Sequence, residues 1–427
     1  MMVWGYFFGI LKAHFVYTFG HFIFDTATLG FYAALLVKPP SKDEWERSIR
    51  LKPWVVALIA WPVFVTIIPL QHYLVQVIGL RGNIFWVPML LVGAWLDKSA
   101  IIRLAVTLAS LNIVSFGFAM AEFVYGVETF VPENEVTSIV YRSRDLAGQN
   151  LRIPSTFANA HTYALTMVAT IPVLIGVITN RFSNWVVKPL LVAGMVVALA
   201  GVFLAGPKSP VVNLGMMIFL ALFSGRINLT ALLVMVLGFT VVGYFVAQEE
   251  RMQRFMDLQN LEAVTERIQM SANTTFFEVI ADYPMGRGMG AGGTSLPYWA
   301  EQYLTDKFYL ENEFARILLE QGLPGLMIWI GFVFWAFFGR IEKNDDFQLT
   351  KTLLWFRVAT IWATAWIGIG MMTTIPGTAI TFLAMGFIVA PPLNKRSKSR
   401  EILFRHSRFP EKSTGVLPAY QRGLSRA

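Results

Sequence analysis

The chain has 427 residues, of which 55% are hydrophobic and only 15% charged, with a mean hydropathy of +0.55. A soluble domain carries roughly 25% charged residues, so this composition excludes a soluble enzyme and predicts an integral membrane protein. Without cysteine there is no disulfide, thiolate metal site or cysteine nucleophile, and the formal charge of +8 is a question of distribution between two membrane faces, not a sign of nucleic acid.

Apolar runs that approach the roughly 20 residues needed to cross a bilayer are predicted at 3–19, 21–37, 53–72, 82–96, 103–121, 158–179, 184–204, 209–224, 227–247, 313–338, 352–371 and 374–390. In hydrocarbon only helices or closed barrels satisfy the backbone, and long continuous runs argue for helices. The expected fold class is an all-α integral membrane protein of about 12 transmembrane helices. Lys12, His14, His21 and Asp25 interrupt the first two runs, so one of them is open to an interfacial reading, and the fourth is short and contains Pro88. The N-terminal run is too long for a cleavable signal peptide.

With both ends inside, cytoplasmic segments carry 20 of the 35 Lys and Arg residues, the opposite face 10, and the spans five. The positive-inside rule then places both termini in the cytoplasm. Residues 1–390 form a polytopic membrane domain and 391–427 a basic tail, "NKRSKSREILFRHSRFPEK" at its core, read as an anchor to anionic lipid. Two outer segments are long, 122–157 and 248–312. The second holds ten acids against five bases. Its stretches "EERMQRFMDLQNL" and "TERIQMSANTTFFEVIADY" have mixed three-and-four apolar spacing, which predicts amphipathic helices forming a small cap on the outer surface.

Ionisable residues of the non-cytoplasmic side gather at outer helix ends and in these loops. Charge in or beside a membrane is costly and tends to be functional, so the site is expected at the outer face. Arg152 stands before the sixth span in "RIPSTFANAH", either as a headgroup anchor or as an anion ligand, and His161 at its start either packs the helix end or serves the site. Lys208, in the tight turn "LAGPKSPVV", is a snorkelling cation or an anion contact. The run "YPMGRGMGAGG" matches G-x-G-x-x-G, but no strand precedes it, so the dinucleotide reading fails. Gly286, Gly288 and Gly290 let backbone come close to a ligand, with Arg287 among them, or they form a surface turn.

In "ENEFARILLEQGLPG", Glu313, Arg316 and Glu320 follow at three and then four residues, the spacing of a helical ion-pair ladder. Glu311 precedes that ladder beside Asn312. A carboxylate in a partly desolvated outer pocket can serve as a general base.

The chain resembles the O-antigen ligase and O-antigen polymerase superfamily. That family shows His-Asn, nine residues, then G-x-x-G; here Asn312 is followed by nine residues and then Gly322 and Gly325. Its Arg, helix and P-x-x-G-x-G are similar to Arg267 followed by "FFEVIADYPMGRGMG" in a slightly shifted version. Its R-x-x-x-T-F is similar to the segment from Arg152, and its Ser-Arg turn corresponds to Pro207-Lys208. The family's His is Glu311 here, a base for a base. Its turn Arg is Lys208, which loses the planar fork that chelates phosphate.

The resemblance covers roughly residues 100–390 and implies a GT-C-like membrane fold. It implies transfer or polymerisation of glycan from a polyprenyl-diphosphate-linked donor on the outside of a bacterial inner membrane. Arg152, Lys208, Arg267, Arg287 and Arg316 would neutralise the diphosphate, and Glu311, oriented by Asn312, would take the acceptor's proton. No metal or cofactor is implied. Partners would be the donor, a glycan or lipid acceptor, membrane lipids and envelope polysaccharide-assembly proteins, with no nucleic acid. The Glu311 replacement favours a polymerase over a ligase that acts on a lipid core or protein. A lipid-glycan transporter is the rival of another class, disfavoured because transporters place polar residues at the midplane.

Overall fold

A computed structural model describes residues 1–15, 19–142, 151–180, 185–223, 276–306, 308, 310, 312–338, 347–366 and 374–391, with single positions between 240 and 269. Among the described residues the regular structure is helical, with no β-strand. Six helices are long and apolar enough to cross a membrane, and three apolar helices are shorter. The protein is a multi-pass membrane protein.

The N-terminal run is two short helices, α1 (Met2–Tyr6) and α2 (Phe8–His14), where one span over 3–19 is predicted. After a turn comes α3 (Ile23–Val37). The charged α4 (Lys42–Arg47) starts on a capping box, with Ser41 and Glu44 each accepting the other's backbone N–H. Next are α5 (Lys52–Ile67), opened by Pro53, and α6 (Tyr73–Ile84) and α7 (Met89–Trp95), separated at Pro88. The apolar stretch here runs Tyr73–Trp95, so it begins earlier than the predicted 82. The polar residues that hid its start are satisfied inside the protein. Gln76 bonds the Leu70 and Gln71 N–H groups and the Thr66 carbonyl, and Arg81 pairs with Asp25 at 2.8 Å.

The 28-residue α8 (Lys98–Tyr125) is capped by Asp97. Then follow α9 (Ser138–Arg142), α10 (Ala160–Ile178), α11 (Lys188–Ala205) and α12 (Lys208–Phe223). Past these lie α13 (Glu278–Asp282), α14 (Glu313–Phe338), α15 (Gln348–Thr364) and α16 (Gly377–Val389). Apart from those single positions, the predicted span 227–247 and most of the predicted cap, 248–275, lie outside the described residues, as does the tail beyond 391.

α10 is the axis of the bundle. It packs against α8, α11, α12, α15 and α16, and is buried nearly all round. α7 and α16 meet so closely that a Cβ on Gly386 would lie 1.9 Å from the Leu90 carbonyl oxygen. Small residues at such crossings let helices gain van der Waals contact in lipid, where apolar transfer gives no driving force.

Candidate functional site

The segment before α10 is drawn into the protein and pinned through Ser155, Thr156 and Asn159. Ser155 adopts φ +54°; its N–H donates to the buried Glu122 carboxylate at 2.7 Å and its hydroxyl to the Ser115 carbonyl at 2.6 Å. Thr156 donates to the Tyr6 carbonyl at 2.6 Å and accepts from the Ile10 N–H. Phe157 lies between the rings of Tyr6 and Tyr163. Gly9 touches the Phe157–Ala158 backbone, where a Cβ would approach to 2.0 Å. Asn159 then caps α10 through the Thr162 N–H. The result is a fixed platform holding Arg152 at its start and His161 in the first turn of the helix.

A second cationic element faces this platform from α15. α15 packs against α10, and the charges of Arg152 and Arg357 both reach His161. Arg357 is 4% exposed, and its Nη1 donates to Asn213 Oδ1 of α12 at 3.0 Å. Asn213 in turn donates to the Ser209 carbonyl and the Thr364 hydroxyl. Lys208 begins α12, directly after the Gly206–Pro207 turn that ends α11. It stands about 7.5 Å further along the axis than Asn213, at 1.5 Å per residue.

The glycine-dense turn sits on the other side, between α6 and α14. Gly286, Gly288 and Gly290 have φ of +80°, +96° and +81°, a region that favours glycine. The close approaches seen at Gly286 and Gly290 are to the protein's own backbone: Gly290 against Val75 and Gly79, and Gly286 against Gly322. Arg287 pairs with Asp306 at 2.6 Å and lies over the rings of Tyr283 and Phe308.

The turn fits because α14 is broken. Gly322, at φ +70° and ψ −178°, interrupts the helix two residues before Pro324. The groups freed at the break find partners. The Leu319 carbonyl accepts from the Arg287 N–H, the Gln321 carbonyl from Trp61 Nε1, and the Leu323 N–H donates to the Pro284 carbonyl. Kinks of this kind require a named cause and re-satisfied backbone.

Before the break, α14 carries a buried charge network. Glu313 accepts from Arg316 at 2.6 and 2.9 Å, and Glu320 accepts from Arg316 and from Asn83, both at 2.7 Å. Asn83 also accepts from Gln321. All five side chains are 2% exposed or less. The three-then-four spacing thus forms its ion pairs, closed across α6 by an asparagine.

Of the residues singled out in the sequence, Arg152 opens the segment that leads into α10 and His161 lies in that helix's first turn, within reach of the Arg152 charge. The structure places Arg287 and Arg316 with the glycine turn at α14, where Gly292 lies against Arg316. The two groups connect through the start of α14. The Glu313 N–H donates to the Ala365 carbonyl, next to Thr364, and Phe314 packs on Trp362 and Trp366. Asn312 is fully buried and its side chain caps α14 through the Ala315 N–H. Glu311 and Arg267 lie outside the described residues. Sequence reasoning missed Arg357, Asn213 and Glu122. For Arg357 one signal existed, since it is among the five bases inside predicted spans. Among the described residues no three His, Asp or Glu side chains could share a metal ion.

An arginine with an amide and, among the described residues, no carboxylate beside it can bind an anion and withdraw it from water. Residues 193–330 match a family model described as O-antigen ligase. The match takes in most of α11, all of α12, the glycine turn and α14 past its break. No curated protein matches the chain.

Proposed function

This chain carries an O-antigen ligase family domain and belongs to the O-antigen ligase and polymerase superfamily; from that premise we propose that it is a membrane glycosyltransferase using a polyprenyl-diphosphate-linked glycan on the extracytoplasmic face, as a polysaccharide polymerase. The observation that carries this reading is that the family domain contains Asn312, Gly322 and Gly325, the last two at the break in α14.

In the proposed reaction an acceptor hydroxyl attacks the anomeric carbon of the donor sugar. Its proton passes to the Glu311 carboxylate as the new C–O bond forms. The bond from the anomeric carbon to the phosphate oxygen breaks, and polyprenyl diphosphate leaves with the electron pair, inverting the centre. Holding two substrates in this geometry supplies much of the rate. Cations offset charge on the leaving group, because charge-assisted bonds to phosphate are strong. Arg152, Lys208, Arg267 and Arg287 are the proposed ligands. Arg316, held by Glu313 and Glu320, would act chiefly by fixing the start of α14.

The test is an assay of purified protein with a defined lipid-linked glycan and several offered acceptors. The expected result is a lengthened or transferred glycan with wild type and none with Glu311→Ala, although the variant inserts normally. Full product from Glu311→Ala removes Glu311 from the mechanism. Movement of labelled donor across vesicles without a new glycosidic bond would replace the transferase reading by a transporter.

A further inference from the structure

A guanidinium removed from water needs a counter-charge, because an unpaired ion is costly to bury even after relaxation. Arg357 meets this condition without the remedy. It lies on α15, which packs against α10, α12 and α16, and its Nη1 has a neutral amide oxygen, Asn213 Oδ1, as partner. Its Nε is buried with no hydrogen-bond partner, and it has no carboxylate partner among the described residues. His161, which the charge of Arg357 reaches, adds positive charge or none.

The surroundings are polar and ordered, as a binding site requires. Asn213 is fixed from both sides by Ser209 and Thr364, so its oxygen is already aimed at the guanidinium. On α16, which packs against both α10 and α15, Thr378 holds a buried hydroxyl without a partner among the described residues. Its neighbour Gly377 faces Thr166 of α10, one turn below Thr162. Ionisable groups kept inside a membrane bundle at this cost mark ligand pathways.

We propose that Arg357 is the inner cation of a lipid-phosphate site lying between α10, α12 and α15, and that the ligand's anion supplies the charge that no described residue supplies. The inference rests on the donor class proposed above and assigns a residue outside the matched domain. The ligand is a phosphate-bearing isoprenoid lipid. Its tail stays among apolar spans while its diphosphate reaches the level of Asn213, with Arg152 and His161 on the outer side.

The experiment uses the full chain in nanodiscs of zwitterionic lipid, titrated with polyprenyl diphosphate bearing no glycan and, separately, with phosphatidylglycerol. Arg357→Gln is expected to weaken binding of the diphosphate lipid at least tenfold. Asn213→Asp is the second variant. It sets a carboxylate against the guanidinium, so it should weaken binding by a similar factor without lowering the melting temperature. Unchanged affinity in either folded variant overturns the proposal. Arg357-dependent binding of phosphatidylglycerol as tight as that of the diphosphate lipid overturns it as well, in favour of a general headgroup site. The titration contains neither glycan nor acceptor, so its outcome is separate from that of the transfer assay. Arg357-dependent binding without any glycosidic bond formed would leave this site standing and remove the transferase reading.

Discussion

Arg316 and Arg357 are both buried in the helical bundle, and the protein treats them in opposite ways. Arg316 has Glu313 at 2.6 Å, Glu320 at 2.7 Å and Asn83 at 3.2 Å. Arg357 has Asn213 at 3.0 Å and no acid among the described residues. The first set closes a circuit of charge within α6 and α14 and leaves little for an outside ion. The second holds a cation open. Two buried arginines thus separate into a structural one and a binding one by their counter-ions, not by their depth.

The sharpest way to break this contrast is to replace each by methionine, which keeps volume and removes charge. Arg316→Met strands two buried carboxylates. Breaking a buried pair costs about 3–5 kcal/mol, so the purified protein should melt far lower or fail to accumulate. Arg357→Met removes a charge that nothing in the described protein compensates, so stability in lipid lacking polyprenyl diphosphate should rise by about 1–3 kcal/mol. The wild type, in turn, should gain stability as diphosphate lipid is added, while Arg357→Met does not. Melting curves with and without the lipid check both. Equal losses from the two substitutions would mean that Arg357 is as structural as Arg316.

A smaller effect separates the two regions through the backbone. Gly322 occupies a conformation that costs a side-chain-bearing residue about 1–3 kcal/mol, and a Cβ there would lie 2.6 Å from the Met285 backbone. Gly322→Ala should therefore lower stability by roughly 2 kcal/mol or more and loosen the bond from the Arg287 N–H to Leu319. Exchange of the Arg287 amide should speed up while that of α15 stays slow. Faster exchange spread evenly over α14 and α15 would show that the two regions are one cooperative unit.

The same contrast explains what could be read from the sequence. Hydropathy is a local sum, so the membrane class is legible, and the predicted 103–121, 158–179, 184–204 and 313–338 overlap α8, α10, α11 and α14. The network of Arg316 is partly legible too, because its acids lie three and four residues away on one helix. Its fourth member is not: Asn83 is 237 residues from Glu320. Likewise the start of α6 is hidden because Arg81 is neutralised by Asp25, 56 residues earlier. Arg357 is the extreme case. Lack of a counter-ion is a property of every neighbour in space, and nothing within 352–371 distinguishes it from a snorkelling base.

The mildest test concerns the platform that brings Arg152 to the open cation. Glu122 accepts the Ser155 N–H in a buried setting. Removing the acceptor leaves that donor unsatisfied, a cost of about 1–3 kcal/mol, whereas an amide in its place still offers an oxygen. Glu122→Leu should then speed amide exchange across 151–159 and weaken diphosphate-lipid binding a few-fold, with Glu122→Gln close to wild type in both. The loss should be smaller than that from Arg357→Gln, because Arg152 is displaced and not deleted. If Glu122→Leu frees the loop while leaving affinity untouched, Arg152 does not share the ligand of Arg357, and the rim and inner cations are separate sites.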